Sequence, residues 1–233
     1  MSRWQEIAVP YACDGTSICA VQTEPASPNR SAIVIVSGGL YYRIGILRQS
    51  VHIARFLAER GYRVLRFDIR GTGDTIGALP GLDSVASDIA AAAKAVLAAP
   101  CRELFLWGRC GGATAILNTL STLPNVTKVV AINPWLPDTT PTNGGTVIDH
   151  CFDEILNYRG QLLLVLTNGP TADQWRSLLL THAAGRMVAA AKHVTWYNFP
   201  QANHAISDRR HLRQLLANAL SWSADEISIE AKR

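Results

Sequence analysis

The chain has 233 residues, 48% of them hydrophobic and 17% charged, with a formal net charge of +4. A chain of that length and apolar share can bury a substantial core, and a single α/β domain over residues 1–233 is the default organisation. The basic residues are scattered, with no Lys/Arg run and no interleaved aromatics, which argues against a nucleic-acid groove.

No segment offers the roughly 18 successive apolar residues of a membrane span, and "MSRWQEIAVP" lacks the apolar core and cleavage site of a signal peptide. Five cysteines (Cys13, Cys19, Cys101, Cys110, Cys151) are too few and too irregular for a disulfide framework, so reduced thiols and a cytoplasmic protein are expected. No membrane partner is expected.

In chain order, "EIAVPYA" and "SICAVQTE" read as two short strands joined by the turn "CDGT", where Asp-Gly supplies positive φ cheaply. "AIVIVSGG" is a β-branched run suited to a strand buried on both faces. "RQSVHIARFLAERG" has helical spacing and stops at Gly61. "YRVLRFDIRG" is the next strand, and "DSVASDIAAAAKAVLAAP" a helix opened by Asp83/Ser84 and closed before Pro100. "ELFLWG", "ATAILNTLSTL" and "KVVAINPW" continue the strand–helix–strand alternation. Residues 136–160 are Pro-, Thr- and Gly-rich and then weakly helical. "QLLLVLTN" is a strand, residues 172–191 a helix, "HVTWYNF" the last strand, and "SDRRHLRQLLANALSW" the last helix, with Ser207 as its N-cap. This alternation predicts a doubly wound α/β domain, its mostly parallel sheet covered by helices on both faces, with ligands binding beyond the carboxyl ends of the strands.

Gly108-Arg109-Cys110-Gly111-Gly112 falls between a strand and a helix, the context of the G-x-nucleophile-x-G elbow. Side chains two residues before and after the nucleophile would collide in so tight a turn, and glycine stands at both places. The thiol of Cys110 then projects above the sheet, where the positive end of the following helix favours thiolate. In such an elbow the order along the chain is nucleophile, carboxylate, histidine. His204, in the loop between the last strand and the last helix, is the expected base; His52, His150, His182, His193 and His211 fall in less suitable places. Asp173 is the nearest acid after "QLLLVLT", and Asp138 in "NPWLPD" is the runner-up. The Gly111 amide and a second one, from Gly39 or Leu40 in "VSGGLYYRIG", are the expected oxyanion donors, with Gly38 allowing close approach. Tyr41, Tyr42, Trp135 and Leu136 are candidates to line the substrate cleft. "DIRGTGD" lacks the Lys-[Ser/Thr] of a phosphate-binding loop and the third glycine of a dinucleotide fingerprint, and reads as a structural loop beside the site. No metal and no cofactor is expected.

The order of strands, "FDIRGTGD", the "GRCGG" elbow and the late histidine resemble the α/β-hydrolase superfamily over roughly residues 5–222. More narrowly, "SGGLYYRIGILRQ", "LRFDIRGTGD", "LWGRCGGATA" and "NPW" look like the exosortase A system-associated hydrolases, whose members likewise carry cysteine in the elbow. Two departures stand out: Gly111-Gly112 replaces a more polar pair, and the segment after the seventh strand lacks an acid where that group places it. A looser likeness is to dienelactone hydrolase, with its Cys-His-Asp triad.

With only about 25 residues between "INPW" and "QLLLV", the cap is expected to be small or absent. The expected function is acyl processing through an acyl-Cys110 intermediate, by a thioesterase, esterase or acyltransferase, on a small-molecule acyl substrate delivered on an acyl carrier protein or coenzyme A. Two other readings stand beside it. One is a lactone hydrolase of the dienelactone type, using Arg43, Arg70 and Arg109 for a substrate carboxylate. The other is a catalytically silent binding protein.

Overall fold

The computed structural model describes residues 3–38, 42–78, 81–97, 101–123, 125–136 and 146–224. Its elements are β1 (Trp4–Ala8), β2 (Tyr11–Cys13), β3 (Thr16–Ile18), β4 (Ala20–Pro25), β5 (Ser31–Val36), α1 (Gln49–Ala58), β6 (Arg63–Phe67), α2 (Leu82–Val96), β7 (Glu103–Arg109), α3 (Gly111–Leu117), β8 (Val126–Ile132), α4 (Val147–Asn157), β9 (Gln161–Asn168), α5 (Pro170–Thr181), α6 (Ala183–Ala190), β10 (Val194–Asn203) and α7 (Arg209–Ser223). An eight-stranded sheet runs in the order β1-β4-β6-β5-β7-β8-β9-β10. β4 is antiparallel to both its neighbours, and the pairs from β6 to β10 are parallel. This is the doubly wound, mostly parallel arrangement that the alternation of strands and helices predicts, and it is the α/β-hydrolase fold that the resemblance implies.

The period-2 geometry of strands sorts the central runs onto two faces. Ala32, Val34 and Val36 of β5, with Leu104 and Leu106 of β7, pack in the core that includes Ile89 of α2, Ile116 of α3 and Phe152 of α4. Ile33, Ile35, Phe105 and Trp107 point the other way, against Leu57 of α1 and Leu215 and Trp222 of α7. Burial on both faces explains why these strands read as continuous apolar runs. α4, in the segment expected to be weakly helical, opens on a capping box between Thr146 and Asp149 and buries Ile148, Cys151, Phe152 and Ile155. It is therefore a crossover helix packed on the core.

Several expected boundaries move. The first expected strand splits at Pro10, which cannot donate to a ladder. β1 joins the main sheet, whereas β2 and β3 form a separate hairpin through Asp14 (φ 47) and Gly15 (φ 77). α2 starts at Leu82 with Gly81 as N-cap. The helix expected over residues 113–123 is α3, which starts at Gly111 and ends at Leu117, followed by a 3₁₀ turn. The one expected over residues 172–191 breaks at His182, which takes an extended conformation (ψ 138) and bonds Asp149 at 3.3 Å. At the last helix Asp208, not Ser207, is the N-cap, accepting from the Arg210 amide at 2.7 Å.

"DIRGTGD" is a structural loop, as expected, and Asp68 is its anchor. The Asp68 side chain is fully buried and accepts hydrogen bonds from the Arg43 amide (2.6 Å), the Arg43 guanidinium and the Asp74 amide (3.0 Å). A Cβ at Gly73 would lie 2.5 Å from the same carboxylate, so glycine is required there. Asp68→Ala removes the acceptor for all three donors and leaves the part-buried Arg43 with only its exposed partner, Asp74. We expect a loss of about 3 kcal/mol in urea unfolding. A loss well under ~1 kcal/mol would show that the ion pair is not a structural anchor.

Candidate functional site

Strand register brings the carboxyl ends of β5, β7 and β8 side by side: Val36 lies opposite Gly108, Gly108 opposite Ala131, and Arg109 opposite Ile132. Cys110 follows directly, at φ 52 and ψ −128. Positive φ is strained for a side chain with a Cβ, and it is held here by hydrogen bonds on either side. The Cys110 amide donates to the Ile132 carbonyl (2.9 Å), while the Cys110 carbonyl accepts from the Thr114 amide (3.1 Å), the Thr114 hydroxyl (3.2 Å) and the Trp135 amide (3.3 Å).

The flanking glycines are sterically required. A Cβ at Gly108 would lie 2.7 Å from Ile116 Cδ1 and 2.8 Å from the Ala113 backbone, and one at Gly112 would lie 2.3 Å from the Val36 carbonyl oxygen. Cys110 itself is half-buried. Two of the other thiols are buried and held protonated: burial raises Cys151 to about 12, and burial with the Asp88 hydrogen bond raises Cys13 to about 11. All five cysteines are free.

The Gly111 amide, an expected oxyanion donor, opens α3 and has no acceptor among the described residues. Gly38 crosses directly above it: a Cβ there would lie 2.9 Å from the Gly111 nitrogen, 2.8 Å from the Gly112 nitrogen and 2.3 Å from the Arg109 carbonyl oxygen. The expected second donors Gly39 and Leu40, the cleft residue Tyr41 and the alternative acid Asp138 lie outside the described residues. Trp135 stands at the rim with 47% of its surface exposed, tied to the elbow by its own amide and by its carbonyl, which accepts from the Thr114 hydroxyl at 2.5 Å.

His204 follows β10 directly, and its loop is held by two side chains that sequence reasoning missed. Asn133, fully buried and at φ 43, donates from Nδ2 to Thr167 Oγ1 (2.7 Å) and to the His204 carbonyl (3.4 Å), and its Oδ1 accepts from the Thr167 amide (2.9 Å). Gln49 of α1, also buried, donates from Nε2 to the carbonyls of Ala205 and Ile206. Asn133 is legible in principle, because Asn is one of the few residues that tolerate positive φ; Gln49 carries no such signal. Since Cys110 bonds Ile132 and the next residue bonds His204, β8 links the expected nucleophile and the expected base. Asn133→Ala should cost about 2 kcal/mol in stability and lower kcat more than it raises KM. An unchanged kcat in a folded variant would remove its positioning role.

The imidazole of His204 makes no hydrogen bond to a carboxylate among the described residues. Asp173, the expected triad acid, sits on the first turn of α5 with its side chain 70% exposed and bonds Arg176 at 2.7 Å. Because Gly169 and Pro170 start the helix early, Asp173 is a helix-terminal residue on the solvent face, and buried Ala172 precedes it. Its expected contact with His204 is not made. The other histidines are engaged elsewhere: His52 with Arg209, His150 with the Asn118 carbonyl, His182 with Asp149, His193 with the Ile155 carbonyl and His211 against Phe199. Burial, and then the nearby Arg109 charge, hold the His204 pKa below the ordinary histidine value, which favours the neutral, proton-accepting ring.

Among the described residues no group of three or more His, Cys, Asp or Glu could hold a metal ion, and no helix is long and apolar enough to cross a membrane.

Residues 27–211 match the model of a hydrolase family described as serine aminopeptidase, S33. The chain belongs to that family. The cysteine elbow thus stands in a hydrolase family named for serine enzymes. No curated protein matches the sequence. Solved structures share the fold of this family member at low identity. An esterase of Pyrococcus furiosus has 14% identity and a TM-score of 0.76, over 95% of this chain and 91% of its own. A dienelactone hydrolase of Anabaena variabilis has 15% identity and a TM-score of 0.72, over 96% and 99%. Est1E of Butyrivibrio proteoclasticus, solved with ferulic acid bound, has 16% identity and a TM-score of 0.71, over 94% and 98%.

Proposed function

We propose that this hydrolase-family protein is a cysteine-dependent acyl-processing enzyme, a thioesterase, esterase or acyltransferase, acting through an acyl-Cys110 intermediate. The observation that carries the reading is Cys110 itself, half-buried at φ 52 between β7 and α3, beside a Gly111 amide that has no acceptor among the described residues. In the proposed mechanism Sγ attacks the acyl carbonyl carbon and its proton passes to His204. The Gly111 amide, with a second donor expected from Gly39 or Leu40, takes the negative oxygen. The collapsing intermediate expels the thiol or alcohol, protonated by the imidazolium, and His204 then draws a proton from water or another acceptor that attacks the thioester. Cysteine needs less help than serine because its thiol ionises closer to neutral pH, so a His204 whose loop backbone is held by Asn133 and Gln49 can serve with no carboxylate bonded to its ring among the described residues.

The lactone reading is less favoured, because two of its three arginines are already neutralised. Arg43 pairs with Asp68 and Asp74, and Arg70 with Asp88 and Asp14. Turnover of a panel of acyl thioesters and p-nitrophenyl esters, set against a carboxylated lactone, tests the choice. The account expects the thioesters and neutral esters to be turned over, and preference for the lactone would reverse it.

The pH dependence follows from His204. Its lowered pKa keeps the ring neutral below the ordinary histidine value of 6.5, so the acid limb of Cys110 acylation should lie below that value. Arg109→Gln should move the limb upward by removing a positive neighbour. A limb above 6.5 in the wild type would contradict the assignment of His204 as base.

A further inference from the structure

A groove of about 310 Å³ runs between α1 and α7, lined by His52, Arg55, Arg209 and Arg213 over an apolar wall that includes Phe56 and Leu212. Its positive charge is poorly compensated. Arg55 pairs with Glu6, and Glu59, the one lining carboxylate, lies 4.0 Å from Arg60; Asp208 is turned to Arg210. Among the described residues no carboxylate reaches ion-pair distance of Arg209, Arg213 or the neighbouring Arg48. Arg209 Nη2 instead donates to His52 Nε2 at 3.1 Å, and the charges of Arg209, Arg48 and Arg55 all press on that ring.

The position of the groove ties it to the catalytic rim. Arg209 comes five residues after His204, Arg48 adjoins the Gln49 that clamps the His204 loop, and Leu212 also lines a small cavity that reaches Gly38 and Arg109. Arg209 and Arg213 line the groove with no described carboxylate at ion-pair distance, and guanidinium groups left so have the fork geometry that suits phosphate oxygens.

We propose that the α1–α7 groove binds the phosphate groups of a nucleotide-bearing acyl thioester, placing Arg209, Arg213 and Arg48 on the phosphates while the acyl end reaches Cys110. The proposal names the substrate class and rests on the acyl-processing reading. Leu212 is buried and the Arg60 guanidinium lies 3.5 Å over the Phe56 ring, so the choice of a nucleotide over a bare anion rests on the spread of arginines along the groove and on the acyl-thioester reading.

Titration calorimetry of the full chain with adenosine 3′,5′-bisphosphate tests the groove without depending on catalysis, so acyl transfer and phosphate binding can fail separately. Saturable binding that weakens about tenfold or more in Arg209→Glu/Arg213→Glu, a variant of exposed residues checked for an unchanged melting temperature, supports the proposal. No binding to the wild type, or equal binding to the variant, overturns it. Inorganic phosphate binding as tightly as the bisphosphate overturns the nucleotide assignment. So does an acidic carrier protein that binds through these arginines while the bisphosphate does not. As a second readout, the kcat/KM ratio of an acyl-coenzyme A to the matching N-acetylcysteamine thioester should fall about tenfold in the variant, and an unchanged ratio would contradict the placement.

Discussion

Cys110→Ala is expected to lower kcat/KM on a thioester by about ten-thousand-fold, the scale seen when a nucleophile is removed and the rest of the site is left in place. The fold should survive, because alanine lacks only the sulfur and every backbone bond of the elbow is kept. Cys110→Ser is the more discriminating change. A serine hydroxyl must lose its proton to His204 during attack, and no described carboxylate steadies the resulting imidazolium, so the serine variant should fall about a hundredfold or more below the cysteine enzyme. Steady-state kinetics on one thioester settle both points. A serine variant as active as the wild type would show that His204 does have a working acid partner and that the cysteine is incidental.

Gly38→Ala has the next largest effect. The added methyl would press on three backbone atoms of the elbow, the Arg109 carbonyl oxygen at 2.3 Å and the Gly112 and Gly111 nitrogens at 2.8 and 2.9 Å, none of which can swing aside as a side-chain end can. Either the loop after β5 withdraws or the methyl covers the amide meant for the oxyanion. Both outcomes remove a donor, and kcat should drop by roughly 10²–10³-fold with a smaller change in KM. Full activity in a folded Gly38→Ala protein would mean that the oxyanion is stabilised elsewhere.

The elbow was legible in the sequence because its constraint is local: two glycines and a nucleophile at fixed spacing between a strand and a helix can be read without the rest of the fold. The place of His204, in the loop between β10 and α7, was legible through chain order, since the last loop of such a sheet returns to the same edge as the elbow. Asp173 shows where that reasoning stops. Its distance from the strand end looks right, yet Gly169 and Pro170 begin α5 at once and turn the carboxylate to Arg176. Asn133 and Gln49 act through contacts far apart in sequence, with Gln49 reaching 157 residues to Ile206. No local pattern announces such a contact. The shift of the last N-cap from Ser207 to Asp208 has a nearer cause: Asn203 accepts from the Ser207 amide and donates to its hydroxyl oxygen, which leaves Asp208 to cap α7.

The central claim is a thioester bond on one named sulfur. Intact-mass measurement after a brief acid quench of the enzyme with an activated acyl thioester, followed by peptide mapping, reads that bond directly. The account predicts one added acyl group on the Cys110 peptide and none in Cys110→Ala. An unmodified wild-type protein that nonetheless turns the substrate over, or an acyl group found on another residue, would contradict it.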